Sequence, residues 1–251
     1  MKKSNRVPLY FDGQHYDLHH QHLIQDIAFY SRMAREYGSP VLELACGTGR
    51  ISLALAEEGF EITGIDRSDT MLKWAEKKST GKNLPVTWIR ADMRGFDLGR
   101  KFNLIFLPFN TLAHLHDFES INSLFASVKK HLAPQGRFIL DFFNPDFNYL
   151  LREENRWFPV TEYSHPDFPE PIKIEEKNRY DKARQINHII WKYQMGEQGF
   201  TTRLDMRIYF PQELDACFRY NGLVIEDKYG DFDESAFNSD SPLQIIISRL
   251  P

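Results

Sequence analysis

From residue 41 to about 141, short apolar runs alternate with segments of helical spacing. Val41, Leu42, Glu43, Leu44 and Ala45 form the first compact run, and it ends in a glycine turn. Ile51 to Glu58 reads as a helix closed by Gly59 just past its end. Glu61 to Ile65 reads as the second strand, and Ser68 is placed to cap the helix that follows. Val86 to Arg90, Phe102 to Leu107 and Arg137 to Asp141 give the third, fourth and fifth strands. Between the last two, Phe118 to Leu132 has helical spacing and is stopped by Pro134 and Gly136. Strands separated by helices require crossovers, which predicts a parallel sheet covered on both faces.

The pattern then changes period. From about 156 to 210 apolar residues alternate with polar ones, as in Ile189, Trp191, Tyr193 and Met195, in Leu204, Met206, Ile208 and Phe210, and in Ile172 to Tyr180. This predicts an antiparallel meander, turning at Glu197 to Gly199, whose apolar face covers either the substrate mouth or a partner subunit. Pro211 to Tyr220 returns to helical spacing and closes at Asn221 and Gly222. Leu223 to Tyr229 and Leu243 to Ser248 read as the last two strands, joined by an acidic loop, and residues 18–37 read as one amphipathic helix. The domain reading is therefore a core of residues 1–142 and 211–251 with an N-terminal helical lid, and an inserted β subdomain over 143–210.

Composition narrows the function classes. With 251 residues, 42% of them hydrophobic, the chain can bury a core without staples. A formal net charge of −4 argues against a dedicated nucleic-acid binder. No apolar run approaches the roughly 20 residues that span a bilayer, so no membrane partner is expected. Met1 to Pro8 is basic but leads into no signal-peptide core. Two cysteines, Cys46 and Cys217, make neither a disulfide framework nor a metal spacing, which suits a reducing cytoplasm. His15, His19, His20 and His22 cluster without an accompanying carboxylate or cysteine pattern of metal-ligand spacing, so no metal site is expected.

The segment Glu43 to Arg50 carries the chemistry. Its glycines allow a tight turn and a ligand lying against the main chain, beside the free amides of a helix N-terminus. In open parallel sheets ligands bind beyond the carboxyl ends of the strands. Ser52 stands where a dinucleotide fingerprint needs its third glycine, and the lysine of a phosphate-binding P-loop is absent. Acidic residues follow three strands instead: Glu43, Asp66 and Asp92. Asp66 can accept both hydroxyls of a ribose, Asp92 suits an adenine amino group, and Met71 and Met93 suit apolar walls. Acidic groups disfavour phosphate and favour a cationic ligand. Plainer readings stand beside these: Asp66 as a helix cap, Asp92 as a loop acid, Met71 and Met93 as core, His114 as a pocket-lining histidine.

Glu43 to Gly49 resembles the E/D-x-G-x-G-x-G signature of class I S-adenosylmethionine-dependent methyltransferases, with Ala45 in place of a glycine. Asp66, Ala91 and Asp92, the strand from Asn103, and the turn Leu132 to Gly136 follow in the order of that family. The resemblance covers roughly residues 35–142 and 211–249. It implies an α/β fold with a seven-stranded Rossmann-like methyltransferase sheet in the order 3-2-1-4-5-7-6, strand 7 antiparallel, plus the inserted antiparallel β subdomain. It implies S-adenosylmethionine as cofactor, S-adenosylhomocysteine as product, and transfer of a methyl group to a nitrogen or oxygen of a small molecule.

By position it implies that Gly47 and Gly49 face the methionine part, with Glu43 and Ala45 of the same loop also at the cofactor. Asp66 would hold the ribose, Asp92 and Met93 the adenine with Met71 as a further apolar wall, Arg67 would also touch the cofactor, and Leu107, Phe109 and Asn110 would line the cofactor and the substrate side. Alanine at 45 is tolerated if the backbone there stays in an ordinary region. Tyr10 to Asp17 resembles the tyrosine-bearing lid of sugar N-methyltransferases and glycine N-methyltransferase-like enzymes. His114 and Tyr16 are the catalytic candidates, with Tyr10 and His116 beside them; an imidazole with a pKa near 6.5 suits a general base. Asp141 and Asn144 resemble one piece of metal-dependent catechol enzymes whose remaining pattern is missing. A homodimer through the inserted subdomain is the expected assembly. The alternatives are a silent S-adenosylmethionine-binding protein and an aminopropyltransferase-like enzyme on the same fold.

Overall fold

The computed structural model describes the backbone of Asn5–Arg6, then Tyr10 and residues 12–251. The rest of the basic start, and Phe11 of the tyrosine-bearing segment, lie outside the described residues. In chain order the strands are β1 (Asn5–Arg6), β2 (Val41–Leu44), β3 (Ile62–Asp66), β4 (Val86–Arg90), β5 (Phe102–Leu107), β6 (Leu132–Phe143), β7 (Phe158–Tyr163), β8 (Ile172–Asp181), β9 (Ile186–Met195), β10 (Gln198–Arg207), β11 (Val224–Tyr229) and β12 (Leu243–Arg249). The helices are α1 (Gly13–His19), α2 (Gln25–Tyr37), α3 (Arg50–Glu57), α4 (Asp69–Gly81), α5 (Phe118–His131), α6 (Phe147–Leu150) and α7 (Pro211–Tyr220), with a 3₁₀ turn at Thr111–His114.

A seven-stranded sheet runs β4-β3-β2-β5-β6-β12-β11. Strands β4, β3, β2, β5 and β6 pair in parallel, and β12 pairs antiparallel with both β6 and β11. This is the expected 3-2-1-4-5-7-6 order with the last strand of the chain antiparallel. Alternation within the strands sends side chains to two cores. Leu42, Leu44, Ile105, Leu107, Phe138 and Leu140 meet Leu124, Phe125 and Phe218 of α5 and α7. On the other face Val41, Ile62, Leu104, Phe106 and Ile139 meet Phe29, Tyr30 and Met33 of α2 and Ile51 and Leu55 of α3. Gly136 lets the backbones of β6 and β5 approach closely: a Cβ there would lie 2.8 Å from the Phe102 carbonyl oxygen.

A second sheet runs β1-β10-β9-β8-β7, antiparallel from β10 to β7, with β1 parallel to β10. Its apolar face carries Tyr163, Ile172, Ile174, Tyr193 and Phe200 and packs on Leu18 of α1. The element it covers is thus the lid.

Three expectations are corrected. Residues 18–37 do not form one helix: α1 starts at Gly13 because the Asp12 carboxylate accepts the amides of Gln14 and His15 at 2.7 and 3.0 Å. It stops at His19, and the linker to α2 is drawn in by Arg50, whose guanidinium donates to the Leu23 carbonyl at 2.8 Å. The meander has a further edge strand, β7, whose alternation is broken by an irregularity between Pro159 and Thr161. Its turn is Gly196-Glu197, one residue early, because Gly196 takes φ +56° and Gln198 already pairs with Met195.

Candidate functional site

The tips of β2, β3 and β4 and the turn after β5 lie side by side along one edge of the sheet. After β2 the chain turns through three left-handed residues, Ala45 (φ +52°), Gly47 (φ +55°) and Gly49 (φ +75°). Ala45 therefore does not sit in the ordinary region that its tolerance required; an L-residue held there carries about 1–2 kcal/mol of strain. A Cβ on Gly47 would meet nothing within 4 Å, so the main chain there faces open space. A Cβ on Gly49 would lie 2.4 Å from the Trp88 ring, so Gly49 lets the loop settle against β4. Gly47 donates its amide to Asp66 Oδ2 at 2.8 Å, and Ser68 donates to Oδ1 at 2.7 Å.

The carboxylates along this edge differ. Asp66 is buried, and the loss of hydration raises its pKa despite those two amides. A carboxylate offers about four acceptor positions, so these two amides and that of Arg67 still leave room for a further donor. Glu43 turns away from the open face: it accepts the amide and hydroxyl of Ser52, and burial pushes it up to about 7. Asp92 is held by Arg94 through Nε at 3.0 Å and Nη2 at 2.6 Å, and that pairing lowers its pKa. Met71 is buried in the first turn of α4, Met93 and Ala45 pack against the core, and Arg67 is exposed. Leu107 is fully buried, and Asn110 Oδ1 accepts the Phe143 amide at 2.6 Å.

The lid closes over this edge. The Asp17 carboxylate accepts the Thr48 hydroxyl at 2.5 Å, the Trp74 indole at 2.8 Å and the Lys78 ammonium at 2.6 Å. One lid residue thus joins the glycine loop to α4. Arg50, first in α3, grips Asp26 of α2 in a bidentate pair at 2.7 and 2.5 Å. Tyr10 donates or accepts at His114 Nε2 across 2.9 Å, and its ring lies 6.0 Å from that of Tyr16. Burial lowers the His114 pKa and raises that of Tyr16. His114 is thereby kept neutral near pH 7, with a ring nitrogen able to accept a proton. His116, by contrast, binds the Asp205 carbonyl at 3.0 Å, away from this group.

The histidines of the lid pack as aromatic rings. His19 stacks on His20 with centroids 4.2 Å apart, and His15 stacks on His165 at 4.4 Å. His20 meets the Phe109 ring edge-on at 5.2 Å. Among the described residues no group of three histidine, cysteine or acidic side chains is arranged to hold a metal ion. Nor is any helix long and apolar enough to cross a membrane. Asp141 and Asn144 diverge: Asp141 faces Tyr30 and the turn after β5, and Asn144 donates to the Ser241 carbonyl at 3.0 Å.

The arrangement joins an open main-chain cradle, a buried carboxylate with spare acceptor capacity, and a neutral imidazole–phenol pair under one lid. Such a site can hold a ribose-bearing ligand and receive a proton near it. Arg50, Asp17 and His20 lacked an assigned role on sequence grounds. Gly13, Tyr16, Asp17 and His20 recur at three- and four-residue steps, a helical face that was available as a signal.

Comparison with known proteins bears on the domain and the fold. Residues 41–136 match a family model described as a methyltransferase domain. The chain is 32% identical over 137 residues to dTDP-3-amino-3,4,6-trideoxy-alpha-D-glucopyranose N,N-dimethyltransferase of Streptomyces venezuelae, covering 54% of this chain and 50% of that one. It is 32% identical over 130 residues to glycine N-methyltransferase of Rattus norvegicus, covering 46% and 44%. The matches thus span about half the length of these relatives or less. Among solved structures, the CcbJ methyltransferase of Streptomyces caelestis superposes with a TM-score of 0.77 at 23% identity over 90% of this chain and 96% of that one. The sugar N-methyltransferase KedS8 of a Streptoalloteichus species superposes with a TM-score of 0.74 at 18% identity over 100% of both. At these identities the structural likeness establishes the fold.

Proposed function

We propose that the chain is a class I S-adenosylmethionine-dependent methyltransferase, a reading supported by its match to a methyltransferase-domain model over residues 41–136, and that it methylates a nitrogen of a small molecule. The observation that carries this reading is the open face of Gly47 beside Asp66, with Tyr10 of the lid hydrogen-bonded to His114. The choice of nitrogen over oxygen rests on the relatives, two of which are named as N-methyltransferases.

The residues fit the donor. Gly47 presents bare main chain to the methionine end, and no side chain there would block it. The Asp66 carboxylate, fixed by the amides of Gly47, Ser68 and Arg67, keeps acceptor capacity for the ribose. Asp92, Met93 and Met71 lie at the adenine end, where Asp92 must share its carboxylate with Arg94. When bound, S-adenosylmethionine supplies a methyl group already activated on a sulfonium, so orientation supplies most of what the protein must add, on the order of 7–11 kcal/mol.

His114, neutral and held by Tyr10 at Nε2, takes on Nδ1 the proton that the acceptor nitrogen sheds, while Nε2 donates to the Tyr10 hydroxyl oxygen and fixes the ring. Tyr16, buried and kept protonated, offers a hydroxyl to the same space. Asp17 keeps the lid shut on Thr48 and excludes water. The homodimer of this reading uses the outer face of the second sheet, where Trp157 lies under Lys177 and Lys192, since the inner face is taken by the lid. Light scattering reads that assembly, and a cytoplasmic location belongs to the same proposal.

The test is calorimetric titration with S-adenosylhomocysteine followed by a screen of small amines and alcohols for S-adenosylhomocysteine release. Binding and turnover of an amine support the proposal. Binding without turnover favours a silent donor-binding protein, and turnover of alcohols alone would replace nitrogen by oxygen.

A further inference from the structure

Asp141, at the end of β6, is 2% exposed, yet three donors converge on its carboxylate. The Tyr30 hydroxyl donates to Oδ2 at 2.6 Å, the Phe109 amide donates to Oδ1 at 2.8 Å, and the Asn110 amide adds a third contact. Those two amides belong to the turn after β5, where Phe109 and Asn110 take φ +60° and +57° in succession. Two adjacent left-handed residues other than glycine are costly and persist only where the surroundings impose them. The surroundings here are Asp141 from below and the Phe143 amide on the Asn110 side chain at 2.6 Å.

The place of this turn gives the strain a use. Strand β5 neighbours β2 on the side away from β3, so the turn flanks the glycine loop opposite Asp66. A donor lying with its ribose at Asp66 and its methionine end along Gly47 points that end at Phe109 and Asn110. The Phe109 ring in turn meets His20 of the lid at 5.2 Å and lies under the Arg50 guanidinium at 5.9 Å.

From this we infer that Asp141 is a positioning residue for the amino-acid end of the donor: its carboxylate holds the left-handed pair Phe109–Asn110, which forms the wall closing that end of the cradle. The inference rests on the donor placement proposed above. Asp141 touches no reacting atom and acts through the turn alone.

Two ligands separate this role from a general loss of structure. S-adenosylhomocysteine carries the amino-acid end; 5′-methylthioadenosine keeps the adenine, ribose and sulfur but lacks it. Calorimetry on the full chain is expected to show D141A weakening S-adenosylhomocysteine at least tenfold while 5′-methylthioadenosine changes less than twofold. D141N, which preserves shape but must turn its amide group toward one of the three donors, should show the same split at about threefold. Y30F removes only the hydroxyl bond and should lower the melting temperature while leaving the affinity ratio of the two ligands unchanged. Equal losses for both ligands, or D141A and D141N matching the wild type, would overturn the inference alone. A wild-type protein that binds neither ligand would overturn the donor reading and this inference with it.

Discussion

Along the donor edge Gly47 and Ser68 reach Asp66 from 19 and 2 residues away, and Glu43 meets Ser52 from 9. In the lid Asp17 meets Thr48, Trp74 and Lys78 from 31, 57 and 61 residues away, and Tyr10 meets His114 from 104. The first region is thus assembled by strand tips that the sheet places side by side. The second exists only when the N-terminal segment, α4 and the turn after β5 have all come together. The two regions should therefore fail differently: damage to the edge should abolish donor binding, and damage to the lid should loosen closure while the sheet stays intact.

The largest effect is expected from Gly49→Val on the edge. A Cβ there would collide with Trp88 at 2.4 Å, and the residue is held at φ +75°. Left-handed strain of about 1–2 kcal/mol adds to overpacking of about 1–3 kcal/mol. S-adenosylhomocysteine binding should fall below detection by calorimetry, and denaturant unfolding should show the lost stability. Asp66→Ala comes next, with a loss of about 1–3 kcal/mol in S-adenosylhomocysteine binding, since a charge-assisted hydrogen bond disappears. Unchanged affinity would remove Asp66 from the ribose.

Asp17→Asn should act on the lid alone. Global stability should change by about 1 kcal/mol or less, while amide exchange over residues 12–20 should quicken and S-adenosylhomocysteine should leave faster. Exchange that speeds up equally in β2 and β3 would contradict a separate lid. Acid gives the mildest effect. Burial first, then His20 and His22, hold His19 down to about 3; burial first, then Arg50 and His22, hold His20 down to about 4 against the Tyr16 carbonyl and Asp17. Both lie below the unfolded value near 6.5, so the folded lid binds fewer protons between these limits. Its stability is complete above pH 6.5 and declines as pH falls toward 4. Lid exchange should rise through that window, and His20→Phe should flatten the rise.

The same contrast explains what the sequence disclosed. The sheet was legible because each strand ends in a local signal: the glycine turn after Leu44, the Ser68 cap before Met71, Pro134 and Gly136 around the start of β6. Position also brought Asp66, Gly47 and Gly49 to one edge, since crossover topology aligns strand ends. The break of the N-terminal helix was not legible, because it depends on Asp12 as a cap and on Arg50 reaching back to Leu23. The strain at Ala45 was hidden because the residue type is ordinary and only the turn is not. Asp141 read as a fragment of a metal pattern; its partners, 111 and 32 residues away, define it instead as a backbone anchor.

The most direct test is a crystal structure with S-adenosylhomocysteine. The expected complex has the ribose hydroxyls on Asp66, the amino-acid end between Gly47 and the Phe109–Asn110 turn, and the sulfur facing the Tyr10–His114 pair. A ligand seated away from Asp66, or with its amino-acid end directed toward β4, would contradict it.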